Sequence, residues 1–574
     1  MMNWATNKIR QAITPERAKI VGIVLVGILI LNVFVVWYVM VEKKVYYWDD
    51  SAYWTSAIDL YKTFHVSKIS GIQSILASLH TDYNMLPIVP FLPIMKLFGP
   101  SRLVFILSTI NLYVIPFSLL TIWLYWKHIV GRLSNNRTGY LLLALLAVFG
   151  MPALLNPALH GQIDAVGLLI IAVIILIATK VKIERYNNYS ILIGALLCLL
   201  VIERRWYSYW AVSAVALVCC FVVWKTVNIM KSRSVKDGLL LLRGATLNLA
   251  ACGVVVGLMM KLLFPYQLDA YFMNYGDIYS AYKSGGLGAQ LWRTINYFGV
   301  LPIVTMIIGC IVTARNKTST YAKYLMLFFV LQSILIYVLF TRTQDFAAHH
   351  YYLFVPLFAF SYLAIVDYIS HRSHRRLFIS ALFSCLILLG MVQAFIPQPY
   401  SQQMQLIEGE ANPPMVRHDL GVLKDLAGYF RSNLKRGEGV YMVTSSDTIN
   451  ESLFRDTTLP EGYVDGVLQT AHIDKRDGFP NQFFGAAYVV VASPVQFHIM
   501  PSGNGQLVIT SLNRRILGGE CANLVKVKEY TIENGVTLVV YKKAAPYSDD
   551  FIQALIGEFT HTYATYPQLT NIHQ

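Results

Sequence analysis

The chain is short of charge. Only 14% of its 574 residues are Asp, Glu, Lys or Arg, against about 25% in an ordinary soluble domain. A wholly soluble protein is therefore excluded. Cysteine is scarce as well. Cys198, Cys219, Cys220, Cys252, Cys310 and Cys385 lie in or beside apolar runs, and Cys521 stands alone in the polar C-terminal region. A lone cysteine cannot close an internal disulfide there, and no CxxC spacing offers a metal site. There is no GxGxxG fingerprint, so no nucleotide site is read, and no HExxH. No internal repeat is present, which counts against a transporter built from paired repeats.

Apolar sequence is what the chain has most of, at 56%. Runs of about 20 apolar residues can cross a bilayer. The expected spans are 20–41, 103–126, 139–155, 164–179, 189–202, 206–225, 243–264, 295–314, 324–341, 350–369 and 377–396, about eleven transmembrane helices. Residues 86–98 are apolar but short and broken by Pro87, Pro90 and Pro93, which disfavours a spanning helix. They are expected to be half-inserted. Residues 51–82 read as one or two interfacial helices.

The net charge of +15 does not imply nucleic acid. Basic residues concentrate in short loops on one side of a membrane. Lys8, Arg10, Arg17 and Lys19 precede the first span, so the N-terminus is expected in the cytoplasm. The loops bearing Lys127/Arg132/Arg137, Lys180/Lys182/Arg185, Lys225/Lys231/Arg233/Lys236, Arg315/Lys317/Lys323 and 371–376 then fall on that same side. The first span is too long for a signal-peptide core and lacks a small-residue cleavage site.

The expected fold class is a polytopic α-helical membrane protein with a C-terminal extracytoplasmic α/β domain. Residues 1–396 form the membrane domain, with a first external loop at 42–102, and residues 397–574 form the soluble domain. In the latter, 418–435 reads as a helix, 439–445 and 487–492 as strands, and 523–543 as a hairpin around Asn534-Gly535.

This topology leaves a separate set of polar clusters outside. They are Trp48-Asp49-Asp50 with Tyr53; His160, Gln162 and Asp164; Glu203, Arg204, Arg205, Trp206 and Tyr207; the tyrosine-rich loop 265–292 with Asp269, Asp277 and Lys283; and Arg342 with His349 and His350. Ionisable groups at membrane depth are costly, so they are functional candidates. Bland readings exist for each. Asp49-Asp50 can be a solvated loop end, and Asp164 a helix cap. Arg204 and Arg205 can snorkel, His349 and His350 can pack at headgroup level, and the tyrosines can form an aromatic belt.

The set is nevertheless coherent as chemistry. A carboxylate can deprotonate an acceptor hydroxyl. Arginines bind a phosphate through charge-assisted hydrogen bonds and stabilise it as it departs. Aromatic faces suit sugar rings. Together with an apolar groove, these describe sugar transfer from a lipid-linked phosphate. No cofactor is expected from these residues, but adjacent aspartates can hold a divalent cation (Mg, Mn or Ca).

At these residues the chain resembles the GT-C superfamily of membrane glycosyltransferases, and more narrowly the family-39-like bacterial enzymes that use polyprenyl-phosphate sugars. The likeness rests on Asp49-Asp50 directly after the first span and on His160-Gly161-Gln162-Ile163-Asp164. It extends to Arg204-Arg205-Trp206-Tyr207, His350-Tyr351-Tyr352 and His472 to Pro480. Many relatives have Asp-Glu in place of Asp-Asp, which leaves the division of roles within the pair open. The resemblance implies inverting transfer from an undecaprenyl-phosphate sugar to a cell-envelope glycan or other acceptor. Asp49 would act as base and Asp50 would orient or stabilise. Arg204, Arg205, Arg342 and Lys283 would hold the donor. Trp48, Tyr53, His160, Gln162, Asp164, Glu203, Trp206, Tyr207, His349 and His350 would contact sugar or acceptor. The alternatives are a polymerase or ligase with a lipid-diphosphate donor, and a lipid-linked-sugar transporter.

Overall fold

The computed structural model describes residues 15–562, apart from 82, 131–136, 275, 277–278, 284, 316–318, 372–375, 398–400, 456–462 and 502–504. Lys8, Arg10, Arg132, Asp277, Lys317 and the middle of the basic loop 371–376 lie outside the described residues.

Among the described residues six helices are long and apolar enough to cross a bilayer: Pro15–Val41, Arg102–Lys127, Arg205–Ser232, Val235–Leu263, Thr320–Phe340 and Arg376–Phe395. Two further pairs reach that length only together. Arg137–Phe149 and Pro152–Leu159 meet at 49°, and Leu287–Phe298 and Val300–Arg315 at 92°. The remaining expected spans are the shorter helices Ala165–Ala178, Tyr189–Glu203 and Val355–Ser370. So each expected span falls on a helix, and six of these helices, or eight with the bent pairs, are long enough by length and composition to cross alone. Of the short ones, Val355–Ser370 is buried almost along its whole length, whereas Tyr189–Glu203 keeps Ile191 and Leu192 exposed.

The right-angle bend falls at Gly299, whose φ of +82° suits glycine. It turns Leu287–Phe298 into an amphipathic helix, with Leu291 and Trp292 outward and Gln290 and Tyr297 buried. Residues 86–98 form a 3-10 turn followed by a short helix, Leu92–Phe98, as their prolines require. The first loop holds two helices, Asp49–Val66 and Lys68–Ser78.

The C-terminal region carries one five-stranded sheet. Its strands are β1 Val440–Val443, β2 Val467–Leu468, β3 Tyr488–Ser493, β4 Leu524–Thr531 and β5 Thr537–Lys543, in the order β2-β1-β3-β5-β4. The first three are parallel and the last two antiparallel. β3 is apolar from Tyr488 to Ala492, where both faces are covered. Val489 and Val491 meet helices Leu507–Leu517 and Asp549–Thr562. Val490 and Ala492 meet helix Leu420–Asn433.

The segment after the first long helix is built into this sheet region. Lys43 exchanges backbone hydrogen bonds with Met415 and Arg417, and Val45 sits in the apolar layer of Leu423 and Phe430. Arg417 grips Asp419 at 2.6 and 3.0 Å, and Asp419 accepts from the Glu533 amide at 2.9 Å. Burial pushes the Asp419 carboxyl up, but Arg417 and the Glu533 amide outweigh it and hold it low. Its contribution is therefore present above the ordinary carboxylate pKa of about 3.9 and lost as pH falls through the lower folded value. Asp419→Ala leaves a buried guanidinium unpaired and is expected to cost about 3 kcal/mol. Thermal unfolding in detergent at pH 7 checks this, and a melting temperature equal to wild type would refute it.

Candidate active site

One large cavity, of about 1040 Å³, opens between the ends of the membrane helices and the C-terminal sheet region. Its wall is assembled from widely separated segments: Trp48 and Asp49 from the first loop, Arg204 to Trp206, the 271–282 loop, Arg342 to His350, and His472, Arg476 and His498 from the C-terminal region.

Asp49 is the first residue of its helix, and its carboxylate faces this cavity. The Tyr83 hydroxyl donates to it at 2.5 Å. Burial pushes its pKa up, but His349, Arg204 and the Tyr83 hydroxyl outweigh that push, so the carboxyl stays below its ordinary range. Asp50, one residue on, turns to a different partner, Lys44 at 3.0 Å, and does not line the cavity.

Arg204 is buried and ion-paired to the fully buried Asp164 at 2.7 Å. Its guanidinium also lies 5.0 Å from the Tyr83 ring centre and 5.5 Å from that of Tyr53. Arg293 pairs with Asp345 at 2.9 Å, and Arg476 with Asp477 at 2.6 Å. Arg205 leans on Tyr279, 3.4 Å from its hydroxyl. With Arg342, five arginines line the cavity.

His349 and His350 are buried. Burial lowers the pKa of both, of His350 strongly. The His350 Nδ1 accepts from the Ala347 amide at 2.9 Å, which places the ring proton of the neutral form on Nε2. Trp206 stacks on Tyr207 at 3.9 Å and presents its edge to His350. The ring N–H groups of Trp48 and Trp206 and Nδ1 of His349 are buried with no hydrogen-bond partner among the described residues.

The structure thus brings Trp48, Asp49, Arg204, Arg205, Trp206, Arg342, His349 and His350 to one cavity. The other candidates stand behind its wall. Tyr207 donates to the Asp164 carbonyl at 2.7 Å, and Tyr53 is buried beneath Tyr83. Glu203 is buried at the end of its helix. Lys283 is exposed, 3.5 Å from the Arg342 carbonyl. His160 donates from Nδ1 to the Asn156 carbonyl at 2.9 Å, and Gln162 caps the same turn through its amide.

Sequence reasoning missed the residue that ties these motifs together. Arg102 donates to the Asp50 and His160 carbonyls, both at 2.7 Å, and stacks on Tyr46 at 3.7 Å. Gly161 makes this approach possible: its φ is +90°, and a Cβ there would lie 2.5 Å from the guanidinium. Tyr83 and Arg293 were missed too, whereas Tyr279 and Tyr282 belong to the tyrosine-rich loop that was singled out. His472 and Arg476 lie in a segment that stood out as a family-like pattern, but nothing in it pointed toward the membrane site.

Among the described residues no group of three or more His, Cys, Asp or Glu is placed to hold a metal ion. The cavity can be described by its own groups: the Asp49 carboxylate, the Asp345 carboxylate paired with Arg293, a belt of guanidinium groups, and aromatic and indole surfaces.

No protein-family model matches the chain, and no curated protein does. Solved structures do. ArnT from Cupriavidus metallidurans in the apo state aligns with a TM-score of 0.50 at 11% identity, over 91% of this chain and 98% of that one. ArnT bound to undecaprenyl phosphate gives 0.49 at 12% identity, over 90% and 97%. The arabinofuranosyltransferase AftD from Mycobacteria gives 0.44 at 12%, over 93% of this chain and 42% of that one. Aligned over 91% of its length with apo ArnT, the chain shares the fold of that structure.

Proposed function

We propose that this protein is an integral-membrane glycosyltransferase. It transfers a sugar from a polyprenyl-phosphate donor, undecaprenyl phosphate as in the ArnT complex, to a cell-envelope glycan. The cavity lies on the extracytoplasmic side, and the N-terminus in the cytoplasm. The observation that carries this reading is the carboxylate of Asp49 set into a cavity lined by five arginines.

The mechanism is a direct displacement. Asp49 accepts the proton of an acceptor hydroxyl, whose oxygen bonds to the anomeric carbon as the bond to the phosphate oxygen breaks. The configuration inverts, through an oxocarbenium-like state. The polyprenyl phosphate leaves toward the guanidinium groups. Arg205 and Arg342 line the cavity and are assigned the phosphate. Trp48, Trp206 and His349 line the space assigned to the sugar. No metal is assigned a step, since Asp49 and Asp50 face different partners.

The test is transfer by purified full-length protein from radiolabelled undecaprenyl-phosphate sugars to a cell-envelope extract, with and without EDTA. Label in the glycan fraction, insensitive to EDTA, is the expected result. Label from diphosphate donors alone would replace this reading with the polymerase or ligase reaction. Arg342→Ala and Arg205→Ala are expected to raise the donor KM about 10- to 100-fold, the worth of one charged hydrogen bond. Unchanged donor KM values would remove these two residues from the phosphate site.

The acid limb of kcat/KM gives a further check. A base works only when deprotonated, so activity is lost as pH falls through the Asp49 pKa. That pKa is held below the ordinary carboxylate range. Tyr83→Phe removes the hydroxyl that helps hold it there, so the acid limb is expected to move to higher pH. An acid limb that stays in place in Tyr83→Phe would detach it from Asp49.

A further inference from the structure

Trp48 immediately precedes Asp49 and has φ +48° and ψ −128°. Among the described residues one other non-glycine residue has positive φ, Asn534 in the turn between β4 and β5. Asparagine tolerates that region, whereas a bulky aromatic residue there is an outlier. Such strain persists only where the surroundings over-determine it.

The surroundings come from the C-terminal region. The His498 ring lies 4.3 Å from the Trp48 ring, and the His472 ring meets it edge-on at 5.8 Å. Both histidines are fixed from behind. His498 donates from Nδ1 to the Ser445 carbonyl at 2.7 Å, and its amide is held by Gln506 at 2.9 Å. His472 is bracketed by Ser445 at 2.9 Å and by the buried Glu451 at 2.7 Å. Upstream, Lys43 and Val45 are already docked on the same region. Downstream, the Trp48 carbonyl accepts the Ser51 and Ala52 amides at 3.1 and 2.8 Å. The orientation of Trp48 therefore sets the first turn of the helix, and with it Asp49.

We propose that the C-terminal domain clamps Trp48 between His498 and His472 and thereby aims Asp49 into the cavity. His498 and His472 are positioning residues, acting on the reaction through Trp48. The domain is then an integral part of the catalytic site, beyond any part it plays in receiving the acceptor. The kinetic half of this inference rests on the transferase reading; the structural half does not.

The experiment combines hydrogen–deuterium exchange and steady-state kinetics on the full-length protein in detergent, with undecaprenyl-phosphate sugars as the probe. His498→Ala is expected to raise exchange over residues 46–54 while strand 488–493 stays protected. It is also expected to lower kcat by about 100-fold, the scale of a misplaced catalytic group, with little change in donor KM. His498→Phe keeps the ring stack and is expected to restore most of both readouts. Exchange over 46–54 unchanged in His498→Ala would overturn the clamp, as would His498→Phe behaving like His498→Ala. If exchange responds as expected while wild type turns over no donor, the clamp stands and the transferase reading fails.

Discussion

Asp49→Asn is expected to leave the protein folded and to cut sugar transfer by about 10²- to 10⁴-fold, the usual worth of a general base. The substitution keeps size and shape. The Tyr83 hydroxyl, 2.5 Å from the carboxylate, can donate to the amide oxygen instead. What disappears is the proton acceptor and the negative charge facing Arg204 and His349. Asp50→Asn is the matched control. Asp50 is bonded to Lys44 and lies outside the cavity wall, so its loss is expected to weaken the loop rather than the chemistry. Initial rates of both variants, with melting temperatures beside them, separate the two aspartates. Equal rates for wild type and Asp49→Asn would remove Asp49 from the chemistry.

The separation of that pair shows what a sequence carries and what it does not. Two carboxylates among aromatics after an apolar span are visible as letters. Which one faces the cavity depends on the helix starting at Asp49, so that the next side chain points elsewhere. The same holds for the spans. Hydrophobic runs are local and legible, so each expected span lies on a helix. The bend at Gly299 is not, because averaging hydropathy across 295–314 hides a single glycine with φ +82°. The C-terminal region was legible where burial leaves a local mark, as in the apolar run 488–492 of β3, and at the Asn534-Gly535 turn. The wall formed by His472, Arg476 and His498 was not, since no local pattern says that a distant loop returns to the first one. The His160 motif was read for its side chains, whereas the structure uses its backbone: Gly161 lets Arg102 reach the His160 carbonyl.

The second large effect concerns the pair beneath the site. Asp164→Ala is expected to destabilise the protein by about 3–5 kcal/mol, because it strands a buried guanidinium. Asp164 is fully buried, and Arg204 is 8% exposed. At 2.7 Å the pair offsets the cost of burying both charges. Arg204→Met strands the carboxylate instead and is expected to cost a similar amount. Replacing both, Asp164→Leu with Arg204→Met, removes the unpaired charge altogether, so the double variant is expected to be more stable than either single one. Melting temperatures of the four proteins in detergent complete the cycle, and additive losses would show that the two residues are not coupled. Activity should not follow stability in this series. Arg204 also lies over the Tyr83 ring and lowers the Asp49 pKa. The double variant, although folded, keeps Asp49 with one positive charge fewer beside it. Its acid limb is expected to sit at higher pH than wild type, which ties the buried pair to the base through charge as well as through packing.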